Sequence, residues 1–276
     1  MPSGSGRVEE LRRTARRIRA QLVRMSHEGK APHLGSALSC VDILVALYWS
    51  AAAVNPGRAG DPQRDRIILS KGHAASALYA ALAERGFWDR SWLATYARDG
   101  SRLPEHMSPG CVPGVEAATG SLGHGLSLGL GMALASRIQA LPCRVWVILS
   151  DGECNEGSVW EAAMFAAAQH LDRVTAIIDY NGWQATGRSE EILQLQPLEE
   201  KWRAFGWDSA SVDGHDLEAL ETALRPRPGS PGAPRALVAR TVKGKGVSFM
   251  EDDNNWHYRI PNAEEMRAAC AELEAP

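Results

Sequence analysis

Apolar residues near the N-terminus recur at helical spacing. Leu11, Ala15, Ile18, Leu22 and Met25 share one face, with Arg12, Arg13, Arg16, Arg17 and Arg19 between them. The pattern predicts an amphipathic helix whose arginines form the wet face. Residues 1–6 (MPSGSG) read as a disordered lead-in. Further on, short apolar runs at 66–69, 144–149, 174–179 and 235–240 have the length and β-branched content of buried strands. A helical run at about 159–169 lies between the second and third. Residues 225–235 carry four prolines and two glycines, which forbids regular structure and predicts a surface loop. Strands that alternate with helices predict an α/β fold with a mainly parallel sheet and helices on both faces. In such sheets, ligands sit beyond the carboxyl ends of the strands.

Composition narrows the class. The chain has 276 residues, 45% hydrophobic and 23% charged, enough to bury a large core without staples. Lys and Arg total 30 and Asp and Glu 33, for a net charge of -3. This argues against nucleic acid as a partner. No apolar run approaches the roughly 20 residues of a membrane span. Nor is there the apolar core of a secretory signal. The five cysteines form no C-x-x-C pair and are odd in number. They predict neither zinc nor a disulfide framework, and fit a reducing, cytoplasmic setting.

The predicted strand ends carry the candidate chemistry. One ends in Ser150-Asp151-Gly152-Glu153 and the next in Asp179-Tyr180-Asn181-Gly182-Trp183. Asp151 and Asn181 are one βαβ unit apart, so both are expected at the same sheet edge. A carboxylate and an amide oxygen with a backbone carbonyl form a hard-oxygen set suited to Mg²⁺ or Ca²⁺. Gly152 would let a phosphate approach the backbone closely. Taken singly, Asp-Gly and Asn-Gly are ordinary turns. Gly123-His124-Gly125 is not a dinucleotide loop, because Leu128 stands where the third glycine is needed. It reads as a turn entering a small-residue helix with Gly129, Gly131, Ala133 and Ala135.

Asp-Gly followed about thirty residues later by Asn resembles the metal-diphosphate motif of thiamine diphosphate enzymes, with Ser150 in place of its first glycine. Ser70-Lys71-Gly72-His73-Ala74, Thr119-Gly120-Ser121-Leu122-Gly123-His124-Gly125, Asp151-Gly152-Glu153-Cys154-Asn155-Glu156-Gly157, Lys243-Gly244-Lys245-Gly246-Val247-Ser248-Phe249 and Trp256-His257 follow in that order. The series is similar to the N-terminal cofactor-binding domain of transketolase, and most similar to the N-terminal subunit of its two-chain form. It covers about residues 11–266 and implies one thiamine diphosphate-binding domain over 1–276.

The resemblance implies roles residue by residue. Asp151, Asn181 and the carbonyl of Trp183 would hold the metal. Ser36, His73, Gly120, Ser121, Leu122, Asp151, Gly152, Glu153, Asn181, Lys243 and His257 would contact the cofactor, with Leu122 beside its thiazolium ring. His33, His73, His106 and His257 would be catalytic, moving protons among substrate hydroxyls near neutral pH. His106 is flanked by Glu105 and Met107 where relatives carry Gly and Pro. Glu156 would join a proton relay across a subunit interface, and also reads as an acid at a helix N-terminus. Lys243 has a second reading as part of a flexible surface loop. His124, where many relatives carry Gln, either donates toward the site or caps a helix. His27, His170 and His215 are taken as structural and without partners.

The implied activity is transfer of a two-carbon ketol unit from a ketose, or ketose phosphate, to an aldose or related acceptor. The glutamate that activates the cofactor would come from a separate C-terminal subunit, in an assembly of two copies of each chain. The α chain of a 2-oxoacid dehydrogenase shares the metal motif but not the histidine series. A one-chain deoxyxylulose phosphate synthase is disfavoured by length. A specialised ketol or acyl transfer in secondary metabolism, motivated by Tyr258 and Trp183, and a non-catalytic assembly role are the alternatives.

Overall fold

The computed structural model of the chain describes residues 4–225 and 232–275. Its centre is a parallel sheet of five strands, β1 (Arg66–Leu69), β2 (Val145–Ser150), β3 (Val174–Tyr180), β4 (Asp208–Asp213) and β5 (Arg235–Arg240), in the order β1-β2-β3-β5-β4. The helices are α1 (Gly4–Gly29), α2 (Leu34–Ser39), α3 (Val41–Ala46), α4 (Ala75–Arg85), α5 (His124–Ile138), α6 (Gly157–Ala168), α7 (Ser189–Ile192), α8 (Leu198–Ala204), α9 (Leu217–Leu224) and α10 (Ala263–Glu274). None of the described helices is long and apolar enough to cross a membrane.

Side-chain alternation along the strands sorts the core into two layers. Trp146 and Ile148 of β2, Ile177 of β3 and Leu237 of β5 face α1–α4, α9 and α10. Val145, Val147 and Leu149, with Ile178 and Val238, face α5, α6 and α8. Strands buried on both faces read as continuous apolar runs, which is why β2, β3 and β5 are visible in the sequence. The edge strand β4 is not. Its residues, Asp-Ser-Ala-Ser-Val-Asp, alternate between buried and open positions and pair only with β5. Ser and Asp carry little intrinsic strand preference.

The long N-terminal helix begins at Gly4, inside the expected lead-in; residues 1–3 lie outside the described residues. Most of the proline-rich loop, 226–231, lies outside them too. Arg19 departs from the expected wet face. It is buried and makes a two-pronged pair with Asp42 of α3, at 3.1 and 2.6 Å. Helices packed on α1 close over that face.

One buried ion pair fixes the carboxyl end of the sheet. Ser150 and Asp179 are register partners across β2 and β3. Lys71, just after β1, binds the Asp179 carboxylate. Lys71 Nζ also donates to the Ser36 carbonyl at 2.9 Å, Ser39 Oγ donates to Asp179 at 2.6 Å, and Thr241 after β5 donates to its other oxygen. Burial alone would lower the Lys71 pKa, but the Asp179 carboxylate outweighs it and raises it. Lys71→Met leaves a buried carboxylate without its cation. It is expected to cost about 3–5 kcal/mol in urea denaturation; a loss under about 1 kcal/mol would show that the pair does not clamp the sheet end.

Candidate active site

Asp151 follows β2 and Asn181 follows β3, so adjacent parallel strands bring them to one edge as expected. The Asp151 carboxylate is fully buried. It accepts from Gly152 N–H (2.9 Å), Gly182 N–H (2.9 Å) and Ser189 Oγ (2.8 Å). Burial, with Asp179 nearby, pushes its pKa up to about 6 against the bonds from Ser189 and Gly152. Asn181 Oδ1 accepts from Trp183 N–H at 3.1 Å, an Asx turn that orients the amide. Among the described residues no three His, Cys, Asp or Glu side chains converge as a metal cluster. A cation here would rest on one carboxylate with amide, backbone and ligand oxygens, the oxygen-rich set of Mg²⁺ and Ca²⁺.

The glycines around this edge divide into two groups. A Cβ on Gly72 would lie 2.4 Å from the Thr119 backbone, and one on Gly125 would lie 2.3 Å from Ser70 Oγ. Protein packing therefore demands glycine at both. Gly120 has φ +138°, and a Cβ there would lie 2.7 Å from the His106 ring. At Gly152 an added Cβ meets Gln184 only at an ordinary 3.4 Å. Nothing in the chain itself requires glycine at that position. The Glu153 side chain faces inward. Its oxygens accept from Ser70 Oγ, from Gly123 N–H (3.0 Å) and from Ser150 N–H (2.9 Å), tying the 119–125 turn to the end of β2.

Four histidines from four separate segments meet beside this edge. Ring centroids are 4.8 Å apart for His33–His73, 4.8 Å for His73–His106, 5.1 Å for His33–His257 and 6.4 Å for His33–His106. His33 caps α2 in the left-handed region, with φ +69°, and its N–H donates to the His257 carbonyl at 2.7 Å. Burial, then His73, His106 and Lys243, draws the His33 pKa down to about 4. Burial with Lys243 draws His257 down to about 3, and His73 is lowered by burial and His106. Glu105 Oε1 lies 3.3 Å from His33 Nδ1 but out of hydrogen-bond alignment, so that buried nitrogen has no partner. Tyr258, 64% exposed, sits edge-on to His257 at the rim.

Lys243 stands below the cluster. It is wholly buried, so the flexible-surface reading is set aside. Its Nζ donates to Asn254 Oδ1 (2.6 Å) and to His257 Nδ1 (3.0 Å). No carboxylate pairs with it among the described residues. Burial and the repulsion of Lys71 pull its pKa down to about 8. A buried cation without a counter-charge is costly, and an anionic ligand would relieve that cost.

The other expected site residues surround this core. Ser36 lies in the first turn of α2, its carbonyl taken by Lys71. Ser121 and Leu122 lie on the turn before α5, and His124 Nδ1 folds back onto the Leu122 carbonyl at 3.0 Å. That contact is local to the turn, and among the described residues no side chain caps the first N–H groups of α5. Glu156 is exposed at the N-cap of α6. The Trp183 ring lies 3.7 Å under the Arg188 guanidinium, and both bind Asp252 at 2.7 Å. His27 donates to the Pro261 carbonyl at 2.8 Å, so it has a partner, as does His215. Sequence reasoning passes over Asp179, Ser189 and Asn254; a charge ending the apolar run of β3 is the available signal for the first.

Residues 11–273 match the family model "Transketolase, thiamine diphosphate binding domain". The chain belongs to this family. It is 44% identical over 242 residues to 6-deoxy-6-sulfo-D-fructose transketolase subunit SqwG of Clostridium sp. (strain MSTE9), covering 88% of each chain. It is 40% identical to one of the subunits of apulose-4-phosphate transketolase from Phocaeicola vulgatus, over 96% of this chain and 94% of that one. Transketolase from Leishmania mexicana superposes with a TM-score of 0.90 at 26% identity, over 95% of this chain and 41% of that chain. The chain thus spans about two fifths of that solved transketolase. The transketolase N-terminal fold explains the placement: strand ends of one parallel sheet present the Asp-Gly and Asn turns together.

Because the fold holds His33 and His257 neutral, unfolding restores their ordinary basicity near 6.5. The unfolded chain then binds more protons, so stability should fall as pH drops from about 6.5, the His33 share being fully lost below about 4. Asn tolerates the left-handed backbone of residue 33. Thermal denaturation of His33→Asn should therefore show a shallower fall across that window, and an unchanged slope would mean that the ring is not held neutral.

Proposed function

We propose that this chain is the thiamine diphosphate- and metal-binding subunit of a two-chain transketolase. It would transfer a two-carbon ketol unit from a polyhydroxy ketose or ketose phosphate to an aldose or related acceptor. The observation that carries this reading is Lys243, buried without a carboxylate partner among the described residues, beside four clustered histidines and the Asp151–Asn181 edge. When bound, thiamine diphosphate supplies the carbon nucleophile that breaks and forms carbon–carbon bonds next to a carbonyl.

The chain's own residues would do the rest. Asp151, Asn181 Oδ1 and the Trp183 carbonyl would hold Mg²⁺ or Ca²⁺, whose charge would favour binding of the diphosphate. Gly152, whose missing side chain no protein atom requires, would let a phosphate oxygen reach the backbone. Lys243 would neutralise the diphosphate, while Ser36, Gly120, Ser121 and Leu122 would line the ring-bearing end. Glu153 would act by holding the 119–125 turn, and by its backbone. Accepting from Lys243 leaves His257 with Nε2–H as the donor a ligand can use. His33, His73 and His257, held neutral near pH 7, would accept and donate protons at substrate hydroxyls together with His106.

A second chain is part of the proposal. The exposed face of α5 and α6 carries Leu128, Met164 and Phe165 at 42%, 51% and 45% exposure. Gly131 on that face opens to empty space. It runs up to Glu156, which would join a relay across the interface. An apolar face of this kind suits a permanent partner. The relatives named as transketolase subunits support the same reading. The partner would be the C-terminal subunit that carries the activating glutamate, two copies of each chain assembling together. Five unpaired cysteines support a reducing, cytoplasmic setting.

Calorimetry of thiamine diphosphate with Mg²⁺, with and without the C-terminal chain, tests the reading. Binding should be present and should weaken on the order of 100-fold in Asp151→Asn. Ketol transfer should need both chains. Absence of binding in either case would favour a non-catalytic assembly role, and full activity from the purified single chain would remove the partner.

A further inference from the structure

We infer that His215 is the positioning residue for Lys243, holding its loop through a hydrogen-bond relay that starts on α1. The loop after β5 is pinned on either side of Val242. Thr241 N–H donates to the Tyr180 carbonyl at 2.9 Å, and Gly244 N–H donates to the Gly35 carbonyl at 3.0 Å. Between these anchors, Val242 N–H finds no backbone acceptor. It donates to His215 Nε2 at 2.8 Å. His215, on the turn between β4 and α9, in turn directs Nδ1 at Asp42 Oδ2 at 2.7 Å. Asp42 is held from the far side by both prongs of Arg19.

The two bonds of the ring define its state. Nε2 receives a backbone N–H, so it is the acceptor nitrogen. Nδ1 faces a carboxylate, so it bears the hydrogen. A neutral Nδ1–H imidazole is the tautomer that satisfies both neighbours. The chain Arg19–Asp42–His215–Val242 therefore transmits the fixed position of α1 and α3 to the residue before Lys243. The Lys243 ammonium must meet Asn254 and His257 at once. A shift of its backbone would move it off both. The Val242 carbonyl accepts from Lys245 N–H at 3.2 Å within the same loop, so among the described contacts His215 is what ties the Val242 N–H to the rest of the fold.

The consequence for cofactor binding rests on the proposed diphosphate site, whereas the positioning itself does not. Two variants of the full chain separate the bonds. In His215→Asn the side-chain amide overlays Nδ1 and keeps the Asp42 bond, but nothing reaches Val242. In His215→Gln the amide oxygen reaches the Nε2 position and restores the acceptor. Amide hydrogen exchange across 241–244 should quicken about tenfold in His215→Asn, the loss of one half-buried hydrogen bond. Acetylation of Lys243 by acetic anhydride, read by peptide mass, should rise in parallel. His215→Gln, which keeps the Val242 acceptor but gives up the Asp42 bond, should fall between the wild type and His215→Asn in both rates.

Wild-type exchange and labelling in His215→Asn would overturn the inference. So would equal loosening in both variants, or failure of His215→Asn to fold, since the role would then be global. Thiamine diphosphate with Mg²⁺, added with the C-terminal chain, should shield Lys243 from acetylation in the wild type. Failure of that shielding would count against the diphosphate reading while leaving the exchange result to decide the role of His215.

Discussion

The site depends on the buried pair between Lys71 and Asp179. Four segments end at the carboxyl edge of the sheet, and each contributes a group to this pair: Lys71 after β1, Asp179 on β3, Thr241 after β5, and Ser39 with the Ser36 carbonyl on α2. Charges at zero and three per cent exposure are tolerable only when paired and fully hydrogen-bonded. The geometry of one pair thereby constrains all four segments at once. His73 lies two residues beyond Lys71, Asn181 two beyond Asp179, and Lys243 two beyond Thr241, so the constraint reaches the site through very short lengths of chain.

Charge is distributed unevenly above that pair. Lys71 has its carboxylate, whereas Lys243 has only an amide and an imidazole. Burial, then neighbouring histidines and the Lys243 ammonium, holds His33 and His257 neutral. Asp151, also buried, is pushed the other way. A buried carboxylate and a buried ammonium thus stand at the same sheet end without a full counter-charge from the protein. The proposed metal-bound diphosphate would meet both demands together.

Much of this is legible in the sequence, for identifiable reasons. β2, β3 and β5 are apolar on both faces, so their composition declares them; the edge strand β4 shares its outer side with solvent and its serines and aspartates look like loop. Asp151 and Asn181 are visible because turn residues closing buried strands stand out. Arg19 and His215 escape a reading by pattern because spacing reports the face of a helix or the nature of a loop, not what packs against it. Arg19 meets Asp42 only because α3 folds across α1. Glu153 looks like part of a cofactor loop, and its side chain instead braces the neighbouring turn.

By itself, the sequence determined the class of sheet, the strand ends where chemistry gathers, and the residue types present there, because local periodicity and turn chemistry are properties of short segments. Only the tertiary structure decided that His33, His73, His106 and His257 form one cluster, that Lys243 is buried rather than exposed, and that Asp179 rather than a site residue neutralises Lys71. Those outcomes depend on contacts between segments far apart in the chain, such as Ser39 with Asp179 and His33 with His257. Burial, which shifts His33, His257, Lys243 and Asp151, is a property of the packed chain and of no segment alone.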